Sequence, residues 1–518
     1  MNRGRSIVRS AWFILICLAL VFNAAGTSGS QGIQTQNLAT PTPGAYLPLI
    51  FHDYAYQHRQ GDWIVTAVEV VENIEILLDG NLIVEGGGSL TLRNARLTLN
   101  GTYNGQYGIR VKSGGTLTVE GSAIQAARDD GRFSFVVEAG NPFVMRDSEL
   151  HGCGWGQPYP NPNEDILGLT IYSNDPIIKN SIFSNNFSAI RLREGGSGGV
   201  IEGNLMSANT WSGVELLRWS GVTITDNIIS DSINGLYLAE SHRNLFLRNR
   251  FSGHAEGALW TFFSWDNEFS ENLVSHSRGF HISARSGNIR ILNNMFTDTD
   301  EGIAFFQSKN NLIKGNTINN SAGWGILLSY TNDTIVADNV LTDTGEFGAL
   351  HLYHSSQNKV INNQITNQPG PAAGTWPGIL VWGSSQDNTI QANTVSGSLR
   401  GLELHYSANG NTITFNTVTS SEEQSVLVES STGNLIHHNN FIDSGDKPFD
   451  DTGTNQWDDG EEGNYWGDYE GDGTEPYAIP PLGIDHHPLL IRVPVTPAPV
   501  PPFIPIPQPP PVDDSEII

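Results

Sequence analysis

Apolar and polar positions recur along most of this chain in one fixed phase. The order is apolar, two residues, Asn, one residue, apolar. It reads Ile177-x-x-Asn180-x-Ile182, then Ile201-x-x-Asn204-x-Met206, then Ile224-x-x-Asn227-x-Ile229. It continues through Asn249, Asn272, Asn294, Asn316, Asn339, Asn363, Asn393, Asn416 and Asn439 in steps of 22–24 residues, with one step of 30. A second element precedes most of these anchors by 14 or 15 residues: Gly213-Val-Glu-Leu, Gly235-Leu-Tyr-Leu, Gly302-Ile-Ala-Phe, Gly325-Ile-Leu-Leu and Gly401-Leu-Glu-Leu. Alternation at period two means a strand with one buried face. Each repeat therefore holds at least two short strands and tight polar turns. A helix has no room, which excludes leucine-rich and helical solenoids, and a propeller blade needs about 40–50 residues.

The pattern predicts an all-β fold, a single-stranded right-handed parallel β-helix (solenoid) over residues 74–443, with about fifteen coils at a rise of ~4.8 Å each. An earlier, related repeat supports the early start. Leu82-Ile-Val-x-x-Gly-Gly-Ser-Leu-x-Leu returns 27 residues later as Ile109-Arg-Val-x-x-Gly-Gly-Thr-Leu-x-Val. Stacked coils place successive Asn amides about one strand spacing apart, so each donates to one neighbour and accepts from the other. Asn also tolerates left-handed dihedrals, as a tight turn requires. The anchors are thus structural.

Composition sorts the flanks. Arg3, Arg5 and Arg9, the apolar run from Ala11 to Phe22 and the small residues from Ala24 read as a secretory signal over 1–26. A Thr/Pro/Gly/Gln linker follows over 27–48. Residues 49–73 and 444–490 are read as N- and C-terminal caps, since open solenoid ends need cover. The Pro-rich stretch 491–518 is read as a disordered, extended polyproline-type tail.

Charge narrows the partners. Acidic residues number 54 against 27 basic ones, a formal charge of −27, which argues against nucleic acid. After signal removal only Cys153 remains, so no intrachain disulfide can form. No further stretch is long and apolar enough to span a membrane, and a monomer is expected. The expected location is secreted, at the cell surface, or periplasmic in a cell with an outer membrane.

Two excursions break the rhythm, Gly152–Ile166 and Asn367–Gly378. Both leave the coil before a Gly-led strand. Outward positions on those strands suit a polysaccharide or glycan, since ring faces pack on sugars while carboxylates and imidazoles bond their hydroxyls. Tyr237, Trp260, Phe306, Tyr353, Trp376, Trp382 and Tyr406 are the candidate binding residues. Catalysis would need paired carboxylates, or a base with a charge neutraliser. Asp298, Asp300, Glu301, His281, His351, Glu403 and His405 are the candidates, for a polysaccharide lyase, glycoside hydrolase or epimerase, and the residues leave open whether any reaction occurs. Residues 450–475 are dense in carboxylates and favour a hard cation, Ca²⁺, with Asp450, Asp451, Asp468 and Asp472 as candidate ligands. His437-His438 and His486-His487 are adjacent pairs, which point apart in an extended chain.

The repeat resembles the right-handed β-helix family that includes NosD-type periplasmic proteins and many carbohydrate-binding proteins and sugar hydrolases. Asn455-Gln-Trp457, Gly463-Asn-Tyr-Trp-Gly-Asp-Tyr469, Pro476-Tyr-Ala-Ile479 and Asp485-x-x-Pro488-Leu are similar to the terminal cap of NosD-like proteins. The loop between the Asp-Tyr and Pro-Tyr elements is shorter here than is common in that family. The resemblance implies copper handling as a second reading, a metal-handling accessory protein, and a structural surface rod is the third.

Overall fold

The chain divides into two units, Met1–Leu47 and Pro48–Ile518. The computed structural model describes residues 54–156, 164–194, 196–345, 348–367 and 377–507, all in the second unit. The signal and linker expectations, Trp376, residues 157–163 of the first excursion and 368–376 of the second lie outside the described residues.

The second unit is a solenoid of three parallel sheets. One coil shows the plan: Met295–Thr299 lies in sheet A, Glu301–Phe306 in sheet B and Leu312–Lys314 in sheet C. Each strand pairs in parallel with its counterparts one coil before and after. Short strands follow from the sequence, because each run holds one or two inward apolar residues between polar turns. Ile303, Phe305, Ile313 and Phe296 point inward and are fully buried, as are their equivalents in neighbouring coils. The only helical piece among the described residues is the 3₁₀ turn Glu164–Ile166. No helix there is long and apolar enough to cross a membrane.

The right-handed parallel β-helix is therefore the observed fold, with about 17 turns instead of fifteen. The difference begins at the N-terminus. Ala55–Gln60, Trp63–Val65 and Val68–Glu72 pair in parallel with Ile74–Asp79, Leu82–Val84 and Ser89–Arg93. The stretch expected to cap the solenoid already forms its first described coil, because its alternation is in phase with the next one.

The Asn ladder holds the corner between sheets C and A, and it sharpens the sequence reading twice. Each Asn Oδ1 accepts from both the backbone N–H and the Nδ2 of the Asn one coil earlier, as Asn227 does from Asn204 at 2.9 Å each. Each Nδ2 also donates to a carbonyl of the preceding coil, Asn227 to Ile201 O at 2.9 Å. All predicted anchors from Asn204 to Asn439 occupy this ladder, but Asn180 does not. Ile178, not Ile177, is the core residue there, so the ladder position falls on Ser181, whose N–H donates to Asn204 Oδ1. The left-handed residue is also not the ladder Asn but the one before it: Asp226, Arg248, Glu271, Asn293 and Asn362 all have φ between 52° and 57°. The turn splits the two tasks between neighbours.

A second ladder went unread. In Ser241-x-x-Asn244, Ser264-x-x-Asn267, Ser355-x-x-Asn358 and Ser385-x-x-Asn388, at the corner between sheets B and C, the Ser backbone N–H donates to the Ser hydroxyl one coil later and the Asn amide donates to the Asn amide one coil later. Its Ser-x-x-Asn spacing was visible in the sequence.

The C-terminal segment closes the core. Trp457 and Trp466 are buried and donate to Asp450 Oδ2 and Asp485 Oδ2 at 2.9 and 2.8 Å. Trp466 stacks on Tyr477 at 4.5 Å. The first ladder ends on a carboxylate, with the Asn464 N–H donating to Asp485. Burial raises the Asp485 pKa, more than these donors lower it.

The Pro-rich tail is read from composition as disordered, but over residues 493–506 it is not free. It lies against the outward face of sheet C. The Asn440, Asn362 and Asn288 amides each clasp one tail residue at both its N–H and its C=O: Val493, Ala498 and Ile506 at 2.7–3.0 Å. Asn310 Nδ2 donates to Ile504 O. Ala498 and Val500 pack on Ile335, Ala337, Ile361 and Leu312. Proline lacks N–H groups, and side-chain amides meet the few that remain.

Candidate functional site

Sheet B carries the residues singled out for binding. Its strands place one residue of each coil outward at mid-strand and one at the strand end, and a left-handed corner residue follows. Parallel pairing keeps each row in register. The mid-strand row runs Arg191, Glu215, Tyr237, Trp260, His281, Ala304, Leu327, His351, Leu380 and Glu403. The strand-end row includes Phe262, Phe306, Tyr353, Trp382, His405 and Glu429. Tyr330, His354 and Tyr406 are corner residues, with φ of 48–53°.

Two aromatic groups result. In the first, Trp260 stacks on Phe262 at 5.9 Å and lies 4.5 Å from the His281 ring, which stacks in turn on Phe306. Tyr237 packs between Trp211 and Phe262. In the second, Trp382 stacks on His351, His405 and Tyr406 at 6.0–6.4 Å and meets Tyr353 edge-on. Tyr353 joins Tyr330 and His354. Tyr237, Trp260, Phe306, Tyr353 and Trp382 are half-buried, whereas Tyr330 and Tyr406 are 45% and 55% exposed. Trp219 and Trp265, at the corners that follow the same strands, are buried.

Charged groups flank the rings. His281 Nε2 lies 2.9 Å from Glu301 Oε2. Burial raises the Glu301 pKa, but the contact with His281 and the charges of His281 and Arg278 together outweigh it, and the net shift is downward. In the second group Arg400 bonds Glu403 at 3.0 Å, Glu403 meets His405 Nδ1 at 3.1 Å, and His405 Nε2 meets Glu429 at 2.9 Å. At the head of the row Arg191 bonds Glu215 at 2.9 Å, and Ser188 donates to the same carboxylate. His351 differs. It is buried, neither ring nitrogen has a hydrogen-bond partner among the described residues, and burial pushes its pKa down to about 3.

The other candidates disperse. Asp298 and Asp300 are exposed beside the corner between sheets A and B, and Asp298 accepts from Asn320 at 2.6 Å. Of the three neighbouring acids only Glu301 meets His281. The proposed Ca²⁺ ligands do not converge either. Asp450 is fully buried and accepts from Thr452, Gly453, Asn455 and Trp457. Asp451 accepts from the Ser430 N–H, Asp468 from Lys447 and Tyr477, and Asp472 from Thr474. Each is taken up by its own neighbours, and only Asp450 is buried in the closing segment.

His437 and His438 also depart from expectation. His438 is left-handed, at φ 56°, and this turns its ring to the side of His437, with the two Nδ1 atoms 2.6 Å apart. Arg400, Glu429 and Trp211 were missed. Glu429 had a signal, since it holds the His405 position one repeat later.

The right handed beta helix region family matches residues 80–251 and 234–395. The family described as periplasmic copper-binding protein (NosD) matches residues 371–471. Among solved structures, the periplasmic alginate epimerase AlgG is 13% identical, covering 73% of this chain and 78% of its own, at a TM-score of 0.34. The tailspike protein of E. coli bacteriophage HK620, solved with a pentasaccharide, is 10% identical over 70% of this chain and 69% of its own, at 0.34. PfbA, a surface adhesin of Streptococcus pneumoniae, is 15% identical over 70% and 85%, at 0.29. Likeness at this level carries no residue's role over to this chain. No curated protein matches the sequence.

Proposed function

Taking as premise that the chain belongs to the right handed beta helix region family, we propose that it binds extracellular polysaccharide along the outward face of sheet B. The observation that carries this reading is the pair of aromatic groups held in coil register, each flanked by carboxylate–imidazole pairs. Stacked rings accept the apolar faces of sugar residues, and the adjacent Glu, His and Arg groups bond their hydroxyls. The register suits a repeating ligand, because successive coils present successive sites at ~4.8 Å. An extracytoplasmic location, secreted or at the surface, accompanies this reading, with the ligand as the partner and nucleic acid excluded by charge.

The face is proposed as a binding surface, with no reaction assigned to it. Its described residues include no Cys or Met, so it offers no soft-ligand place for the copper in the NosD family's name.

The test is affinity electrophoresis and a glycan array on the full chain, with Trp260→Ala and Trp382→Ala alongside. Binding to a polysaccharide that either substitution weakens supports the reading. No binding to any glycan, or binding that neither substitution changes, overturns it.

A further inference from the structure

The last strand of sheet C, Leu435–His437, ends at a corner unlike those before it. The corner residue is Asp226, Arg248, Asn293 or Asn362 in earlier coils, but here it is His438. His437 is the last outward residue of the strand, where Thr414 stands one coil earlier. In an extended chain these two rings would point apart. The left-handed φ of His438 brings both Nδ1 atoms to one place, 2.6 Å from each other. The Phe415 ring, from the corner one coil earlier, stacks on His438 and fixes its plane.

The closing segment brings a third donor. Asp459 spends Oδ1 on the backbone N–H groups of Glu461 and Glu462, which leaves Oδ2 aimed at the histidines, 3.7 Å from His437 Nδ1. The ligating atoms of His437, His438 and Asp459 all lie within 4.8 Å of one another, the only such group of three among the described residues. On the far side of His438, Nε2 bonds Glu462 at 2.7 Å. A carboxylate on the second nitrogen of an imidazole orients it and makes it a better donor to a metal.

The geometry points to a site for one divalent transition ion, held by His437 Nδ1, His438 Nδ1 and Asp459 Oδ2, with Glu462 as the positioning residue behind His438. Two imidazole nitrogens set at right angles around an ion, with bonds of ~2.0–2.1 Å, stand about 2.9 Å apart. The observed pair needs to open by only ~0.3 Å. Two nitrogens and one oxygen form a borderline donor set that suits Cu²⁺ or Zn²⁺, with Cu²⁺ the tighter by the usual order for such ligands. Neither a hard Ca²⁺ cage nor a thioether Cu⁺ site matches it. Three protein ligands leave positions open, as in sites that exchange a ligand and unlike closed structural ones. The site is independent of sheet B's outward face.

The test uses the full chain after chelator treatment. Isothermal titration with Cu²⁺, Zn²⁺ and Ca²⁺ gives affinity and stoichiometry, and electron paramagnetic resonance of the Cu²⁺ form reads the nitrogen ligands. The variants borrow residues from neighbouring coils to keep the fold: His437→Thr with His438→Asn, and separately Glu462→Gln. His276→Ala, at an exposed corner of another coil, is the control, and thermal unfolding checks each protein. The expected result is one Cu²⁺ per chain with coupling to two nitrogens, bound more tightly than Zn²⁺ and far more tightly than Ca²⁺. The double variant should lose at least about a hundredfold in affinity and the nitrogen coupling, and Glu462→Gln about 10–100-fold. A double variant that keeps the affinity and spectrum overturns the proposal. So does a wild-type chain that binds no more tightly than that variant, or one that prefers Ca²⁺.

Discussion

The outward faces of sheets B and C are built by the same coils and carry opposite surfaces. On sheet C the side chains answer one another. Arg93 bonds Glu72 and Glu120, Lys179 bonds Glu202 and Arg290 bonds Glu268 across adjacent strands. Where that face turns apolar, at Ile335, Ala337 and Ile361, residues 493–506 cover it. On sheet B the corresponding rows hold half-exposed rings and acid–imidazole pairs. The difference teaches where a ligand belongs on a repetitive scaffold. The coil supplies identical backbone on every side, so the two faces differ only in their side chains: those of sheet C are salt-bridged or covered, whereas the ion pairs of sheet B stand beside rings that nothing described covers.

Both faces hang from the corner ladders, and cutting a ladder gives the largest expected effect. Asn316→Ala removes an acceptor for the Asn294 N–H and Nδ2 and the donor to Ile291 O. Buried groups left without partners cost about 1–3 kcal/mol each. A loss of ~3 kcal/mol is expected by denaturant titration, with hydrogen-exchange protection falling on sheets C and A together, the two sheets that this ladder joins. If only one sheet loosens, the ladder is not their shared support.

His351 sharpens the comparison through pH. Its folded pKa is lowered to about 3, so the unfolded chain binds the extra proton. Stability is then full above pH ~6.5 and falls as pH drops toward 3, by roughly 1.4 kcal/mol per unit. His351→Leu, which extends the row of Leu327 and Leu380, should remove that slope. By pH 5 the variant should be about 2 kcal/mol more stable than wild type in parallel melts. An unchanged slope would mean that the ring is not buried neutral.

Trp382→Ala should weaken polysaccharide binding by about tenfold, or ~1.4 kcal/mol. A substitution on sheet C, Arg290→Ala, should leave that binding unchanged, since exposed ion pairs contribute only about 0–1 kcal/mol and do so to the fold. Equal losses from both would erase the distinction between the faces.

The smallest effect is expected at the arm. Asn362→Ala removes two hydrogen bonds to Ala498, about 1 kcal/mol each at most. Limited proteolysis should cut the arm near residue 498 faster, with polysaccharide binding and melting temperature nearly unchanged. A large drop in melting temperature would make the arm part of the fold and not a cover.

Much of the fold was legible because its main signal is local and periodic. An Asn at a fixed phase needs only the next coil to satisfy it, so spacing alone revealed the ladder. The errors were of one residue. Asn180 was taken for Ser181, and the left-handed task was assigned to the ladder Asn instead of its neighbour. Both happened because a three-residue corner holds two kinds of polar position. The candidate site was legible only in part. Alternation assigned Tyr237, Trp382 and Glu403 to the outward side of sheet B. It could not tell that Asp298 accepts from Asn320, or that Asp450, Asp451, Asp468 and Asp472 each accept hydrogen bonds from separate neighbours.

The sequence by itself determined the coil, its repeat length and the side on which the rings stand, since hydrophobic period and turn chemistry act over a few residues; the third strand of each coil came from the structure. Only the tertiary structure decided which face stays open and where His437 and His438 meet. The arm reaches Asn288 across 218 residues of chain. The two histidines converge because one corner dihedral overrides strand alternation. Neither a distant contact nor a single dihedral leaves a period in the sequence, and so neither could be read there.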